Sequence, residues 1–117
     1  MMCSLDNAIV MARLSIQKAL LGEVSGNLRA VVFSVSELFL SVRFYFDGEI
    51  DDDAFESASC VETEVLADYE EDWTVTVKCF RLDATEPIFD DGVWVFRRRE
   101  VQVIKLVQKG RLRFRQA

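Results

Sequence analysis

The amino-acid sequence predicts a single α+β domain in which two helices lie on one face of an antiparallel sheet. Three observations carry this expectation. Two stretches repeat apolar residues at spacings of three and four, the period of an amphipathic helix, and of four shorter strand-like ones two, Leu38–Phe46 and Trp73–Leu82, alternate apolar and polar residues, the period of a half-buried strand. The six stretches follow one another as α-β-β-α-β-β. The chain has 117 residues, half of them hydrophobic, with nine Phe and two Trp, which suits one core, and it contains no linker long enough to divide it.

The first helix is expected over about Ser4–Leu21, where Leu5, Ile9, Ala12, Ile16 and Leu20 form one stripe, Ser4 is placed to cap and Gly22 to terminate. Ser25-Gly26-Asn27 makes a turn into a strand at Leu28–Ser34. A second strand spans Leu38–Phe46, with Leu38, Leu40, Val42, Phe44 and Phe46 on one face and Ser41, Arg43 and Tyr45 on the other. The short link through Val35-Ser36-Glu37 makes these two a hairpin.

Asp47-Gly48 ends the second strand, and an acidic helix follows at about Asp51–Tyr69 with Ala54, Ala58, Val61, Val65 and Tyr69 inward. Asp51, Asp52 and Asp53 fall in its first turn, where carboxylates complement the helix dipole. The third strand is expected at Trp73–Leu82, a loop at Asp83–Gly92 with the single proline, Pro87, and the fourth strand at Val93–Arg98, the last two strands pairing as a second hairpin. Residues 1–100 thus make the domain. Val101–Ala117 alternates apolar and basic residues about Lys109-Gly110, and reads as a basic C-terminal extension or an additional hairpin of the same domain.

Composition argues against catalysis. The chain has no histidine, so the commonest general acid and base is absent, and its five glycines are too scattered for a phosphate-binding loop. Cys3, Cys60 and Cys79 fit neither a disulfide framework nor a zinc site and are expected to act as small buried hydrophobes. Asp51-Asp52-Asp53 and Asp90-Asp91 are the best candidates for a carboxylate hydrolase or magnesium site, but they read more simply as a helix start and a solvated loop. No catalytic residue, cofactor or metal is therefore expected. No apolar run is long enough to span a membrane, and the N-terminus lacks a secretory pattern, so a cytoplasmic location is expected.

The net charge of −6 conceals a division. Residues 1–96 carry 19 Asp/Glu against 6 Lys/Arg, a net −13, whereas residues 97–117 carry 8 Lys/Arg against one Glu, a net +7. Arg97-Arg98-Arg99 with Arg111, Arg113 and Arg115 resembles a nucleic-acid stripe, yet an acidic body of this size opposes such a ligand. The basic end is better suited to the acidic face of its own domain or of a second copy in a homodimer.

The acidic residues crowd together, and positions 49–77 contain no Lys or Arg. A charge run is often only a solvated face. A carpet of carboxylates can also imitate a polyanion and draw in a basic partner. On that reading the partner-binding residues are Glu49, Asp52, Asp53, Glu56, Glu62, Glu64, Asp68, Tyr69, Glu70, Glu71 and Trp73, with Tyr45, Tyr69 and Trp73 as aromatic anchors.

Several phrases point further. Ala19-Leu20-Leu21-Gly22-Glu23-Val24-Ser25-Gly26-Asn27-Leu28-Arg29-Ala30-Val31, Arg43-Phe44-Tyr45-Phe46-Asp47-Gly48-Glu49-Ile50 and Ser57-Ala58-Ser59-Cys60-Val61-Glu62-Thr63-Glu64-Val65 resemble a family of small bacterial immunity proteins of polymorphic-toxin or contact-dependent growth-inhibition loci. Arg81-Leu82-Asp83, Glu86-Pro87-Ile88 and Trp94-Val95-Phe96 fit the same family, and the resemblance covers about residues 5–99. It implies a protein that binds and inactivates a cognate toxin domain, often a nuclease, with no catalytic residue and no cofactor. The alternative is a structural or oligomerising α+β interaction domain.

Overall fold

The computed structural model describes residues 5–100, so the Ser4 cap, Cys3 and the hairpin expected at 101–117 lie outside the described residues. The elements are α1 (Leu5–Ala19), β1 (Leu28–Ser36), β2 (Phe39–Phe46), α2 (Asp52–Leu66), β3 (Thr74–Arg81) and β4 (Val93–Arg97), in the expected α-β-β-α-β-β order.

The sheet is mixed rather than antiparallel. Its strand order is β3-β2-β1-β4. β1 pairs antiparallel with both β2 and β4, but β2 and β3 run parallel, Phe39 beside Thr74 through Phe46 beside Arg81. The expected second hairpin is therefore absent, and β3 and β4 form opposite edges of the sheet. The physical reason lies in the connections. α2 carries the chain from the end of β2 back to the start of β3, as a parallel crossover requires. An alternating pattern identifies a strand but not its neighbour.

Both helices pack on one face. Ala12, Ile16 and Ala19 of α1 meet Ala54, Ala58, Val61 and Val65 of α2 in one core with Val31, Phe33, Leu40, Val42, Phe44 and Phe46 from the central strands. The inward stripe of α2 is the expected one through Val65, but the helix ends at Leu66, so Tyr69 packs against the core from beyond its end. The stripe of α1 holds for Ile9, Ala12, Ile16 and Leu20, which are buried or pack against the core together with Ser15 and Ala19, but not for Leu5, which is 62% exposed. α1 also stops at Ala19, before Gly22 takes a φ of +82°, the left-handed conformation that favours glycine. The outer side of α1 keeps Val10, Met11 and Leu14 exposed. Leu38, expected inward, sits exposed in the turn between β1 and β2, beside Glu37 at a φ of 35°.

The second crossover explains the other face. β4 runs parallel to β3 with β2 and β1 between them, so residues 82–92 must cross the sheet. Travel from β3 to β4 is opposite in direction to travel from β2 to β3. If both connections keep one hand, the second must use the face that α2 leaves open. Accordingly Ala30 and Val32, which point away from the helices, are fully buried. Gly92 sits so close beneath this face that a Cβ there would lie 2.6 Å from the Phe33 carbonyl oxygen and 2.9 Å from Val32.

Candidate functional site

The acidic surface is built by α2 and the turn after it. Asp51 is the N-cap: its Oδ1 accepts a hydrogen bond from the Ala54 N–H at 2.9 Å, satisfying one of the first-turn donors. Asp52 and Asp53 follow in the first turn. Because Ala54, Ala58, Val61 and Val65 turn inward, Glu56 and Glu64 are exposed and Glu62 lies half-buried on the flank. Glu49 before the helix and Glu70 and Glu71 after it are exposed too. Among the described residues none of these carboxylates forms an ion pair, whereas Asp47, Asp68, Asp83, Asp90 and Glu100 all do.

Three of the sequence-derived candidates are tied into the fold. Asp68 holds α1 to the end of α2: it accepts the hydroxyl of buried Ser15 at 2.6 Å and pairs with Lys18 at 3.3 Å. The Ser15 hydroxyl and then Lys18 lower its pKa. Tyr69 and Trp73 are half-buried against the core with ring centroids 4.8 Å apart, and burial raises the Tyr69 pKa. Tyr45 is not beside the acidic surface. It lies on the opposite face of the sheet, stacked on Phe80 at 5.6 Å with its hydroxyl donating to Asp90 at 2.8 Å.

On that opposite face two arginines pin the crossing segment. Arg29 is the extra residue of a β-bulge between Leu28 and Ala30, which lets Leu28 and Val31 both face the core and turns Arg29 the other way. Its side chain is 4% exposed. Nη1 donates to the carbonyls of Leu82, Asp83 and Glu86 at 2.7, 3.0 and 2.9 Å, while Nε and Nη2 grip both oxygens of Glu100 at 2.8 and 2.9 Å. Arg98 also pairs with Glu100 and reaches Asp47. Glu100 is held below its ordinary pKa, first by Arg29 and then by Arg98.

Arg43 makes the second clamp. It donates Nε and Nη2 to the two oxygens of Asp90 at 2.7 and 2.9 Å, and Nη2 also reaches Ser34 Oγ at 2.9 Å. Asp90 further accepts the Gly92 N–H and the Tyr45 hydroxyl, and its carbonyl accepts Trp94 Nε1–H. Its pKa falls from 3.8 to about 2, because the Arg43 hydrogen bonds, backed by Gly92 and Tyr45, outweigh burial. The expectation of a solvated Asp90-Asp91 loop is thus corrected for Asp90, whose side chain is 6% exposed. Asp91 is exposed.

The remaining chemical candidates are quickly placed. Cys60 is exposed on α2, contrary to expectation, because it falls on the outer side of the helix. Cys79 packs half-buried against the core, and burial raises its pKa. Among the described residues no group of His, Cys, Asp and Glu converges to hold a metal, and no helix is long and apolar enough to cross a membrane.

Two surfaces thus stand out: carboxylates without an ion pair among the described residues on the helix side, and a pinned crossover beneath. A family model for the MafI2 immunity protein matches residues 10–100, nearly all of the described fold. The chain belongs to the MafI2 immunity protein family. No curated protein matches it. The match takes in α2, both arginine clamps and Glu100, so this MafI2 family member carries the fold and both surfaces inside the family region. Sequence reasoning missed Arg29, Arg43, Asp90 and Glu100 as a system. The available signal was a pair of arginines inside otherwise apolar or hydroxylated strands, with acidic residues in a connection longer than hairpin loops usually are.

Proposed function

We propose that this protein acts in the cytoplasm as the immunity partner of a cognate toxin domain at a polymorphic-toxin locus of the contact-dependent type, and that the acidic outer side of α2 receives that toxin. Membership of the immunity family supports the role. One observation carries the choice of surface: Asp52, Asp53, Glu56, Glu62, Glu64, Glu70 and Glu71 have no ion pair among the described residues, while the acids outside this stretch that face arginines are neutralised. Uncompensated carboxylates on one side steer a basic partner and raise its association rate. A nuclease, whose nucleic-acid surface is basic, has the matching chemistry. Binding rather than catalysis is the proposed mode of action, with no cofactor.

The test is association kinetics between the full chain and the proposed cognate toxin domain. Glu56→Lys, Glu62→Lys and Glu64→Lys together leave the core untouched, unlike Asp68, which holds α1. The triple variant is expected to associate at least about tenfold more slowly at low salt, with the difference shrinking as salt screens it. Full protection of cells by this variant, with an unchanged association rate, would sink the acidic-surface reading.

A second reading, self-association, is favoured by the exposed apolar side of α1, Val10, Met11 and Leu14. Residues 101–117 are proposed as an extension of the 1–100 domain that contributes basic charge to such pairing. Mass in solution of the whole chain and of a chain ending at Glu100 decides it: a monomer in both cases removes this reading.

A further inference from the structure

The aromatic anchors expected beside the carboxylates are committed to the fold, Tyr69 to Trp73 and the core, Tyr45 to Asp90 and Phe80. One large apolar side chain is instead left almost wholly in solvent. Phe89 is 88% exposed, more than any other large hydrophobic residue among those described. Its neighbours do not share that freedom. Ile88 is half-buried, and Asp90 is locked under Arg43.

Solvent-exposed phenylalanines on mobile loops bind weakly, because ordering the loop opposes association. The Phe89 segment has been ordered in advance. Arg29 holds its beginning through three backbone carbonyls, and Arg43, Tyr45 and Gly92 hold its end through Asp90. An aromatic ring on a pre-ordered support, beside an open depression lined by Ser34, Arg43 and Asp91, has the form of an interface anchor.

Charge around it indicates what it meets. Glu86 and Asp91 flank Phe89, both exposed and both without an ion pair among the described residues, whereas Asp83 and Asp90 are neutralised by Arg81 and Arg43. The segment is also stitched to the approach to α2, since the Gly48 N–H donates to Asp83 and the Ala84 N–H to Asp47, each at 3.0 Å. The acidic stretch beginning at Glu49 therefore adjoins the loop at one end of the sheet.

We infer that Phe89 is the anchor residue of the toxin interface, seated in an apolar pocket of the toxin whose rim carries lysine or arginine. The inference rests on the immunity role proposed above. It adds a contact element on the face opposite α2 and assigns affinity mainly to Phe89 and association rate mainly to the carboxylates.

The experiment measures binding of the full chain to the proposed cognate toxin domain, by calorimetry and stopped-flow, for wild type, Phe89→Ala, Phe89→Trp and Asp91→Lys. Phe89→Ala is expected to weaken binding by about 30-fold or more, through faster dissociation and at every salt concentration, with an unchanged unfolding midpoint. Phe89→Trp is expected to stay within about threefold of wild type, and Asp91→Lys to slow association in a salt-dependent way. Phe89→Ala binding within about threefold of wild type overturns the anchor while leaving the immunity role standing. Failure of the wild-type chain to bind that toxin at all overturns the immunity role and the anchor with it.

Discussion

Arg43 on β2 and Asp90 at the end of the crossing segment form a two-point ion pair, Nε to Oδ2 at 2.7 Å and Nη2 to Oδ1 at 2.9 Å, with only 18% and 6% of the two side chains exposed. A desolvated pair of this kind stabilises little against an apolar replacement of both partners, but removing one partner strands a buried charge. Asp90→Ala and Arg43→Ala are each expected to destabilise the fold by about 3 kcal/mol, and the double variant by clearly less than the sum. Urea unfolding of the four proteins closes the cycle. Strict additivity would mean that the two groups act independently.

The same pair makes stability depend on acid. The Asp90 pKa is about 2 in the folded chain against 3.8 for the free side chain. A carboxylate with a depressed folded pKa stabilises fully above its unfolded value, and that stabilisation is lost as pH falls through the folded value. The contribution is on the order of 2 kcal/mol above pH ~4 and disappears between about pH 4 and 2. Glu100, also lowered by its arginines, adds in the same direction. Asp90→Asn should flatten the acid limb of a stability-against-pH curve. An acid limb as steep as that of wild type would show that other groups set it.

Periodicity made both helices and the strands β2 and β3 legible, because each buries one side more than the other, while β1, buried on both faces, and β4 read as short apolar runs between turn residues. The α2 stripe of Ala54, Ala58, Val61 and Val65 is an example that needed no tertiary knowledge. Strand pairing was not legible: Val75 and Val77 alternate with Thr74 and Thr76 in the same way whether β3 lies beside β2 or beside β4. The candidate site divides similarly. Carboxylates on the outside of α2 follow from helix geometry, but the capture of Tyr45 by Asp90 depends on a crossover whose face is set by handedness. The bulge at Arg29 left a trace, since Leu28 and Val31 are both buried although a regular strand would send them to opposite faces.

Arg29 should not tolerate lysine. Its planar fork reaches three carbonyls and both oxygens of Glu100 at once, and an ammonium group cannot satisfy that geometry. Arg29→Lys is expected to cost about 2–3 kcal/mol in urea unfolding. It should also speed amide hydrogen exchange selectively in residues 82–88, while exchange in α2 follows only the global loss. Unchanged protection of that segment would show that its order comes from elsewhere.

Gly92 tests how closely the crossover is pressed to the sheet. A Cβ at this position would lie 2.5 Å from Arg43 Nη2, 2.6 Å from the Phe33 carbonyl oxygen and 2.9 Å from a Val32 methyl. The arginine tip can move, but the carbonyl belongs to the central strand and Val32 is fully buried, so the segment itself must lift. Lifting it pulls the Gly92 N–H and Asp90 away from Arg43. Gly92→Ala is therefore expected to destabilise by about 2–3 kcal/mol, at the upper end of ordinary overpacking. In an Asp90→Asn background, where the clamp is already weakened, the same substitution should cost measurably less. An equal cost in both backgrounds would locate the strain in β1 alone and separate it from the Arg43 clamp.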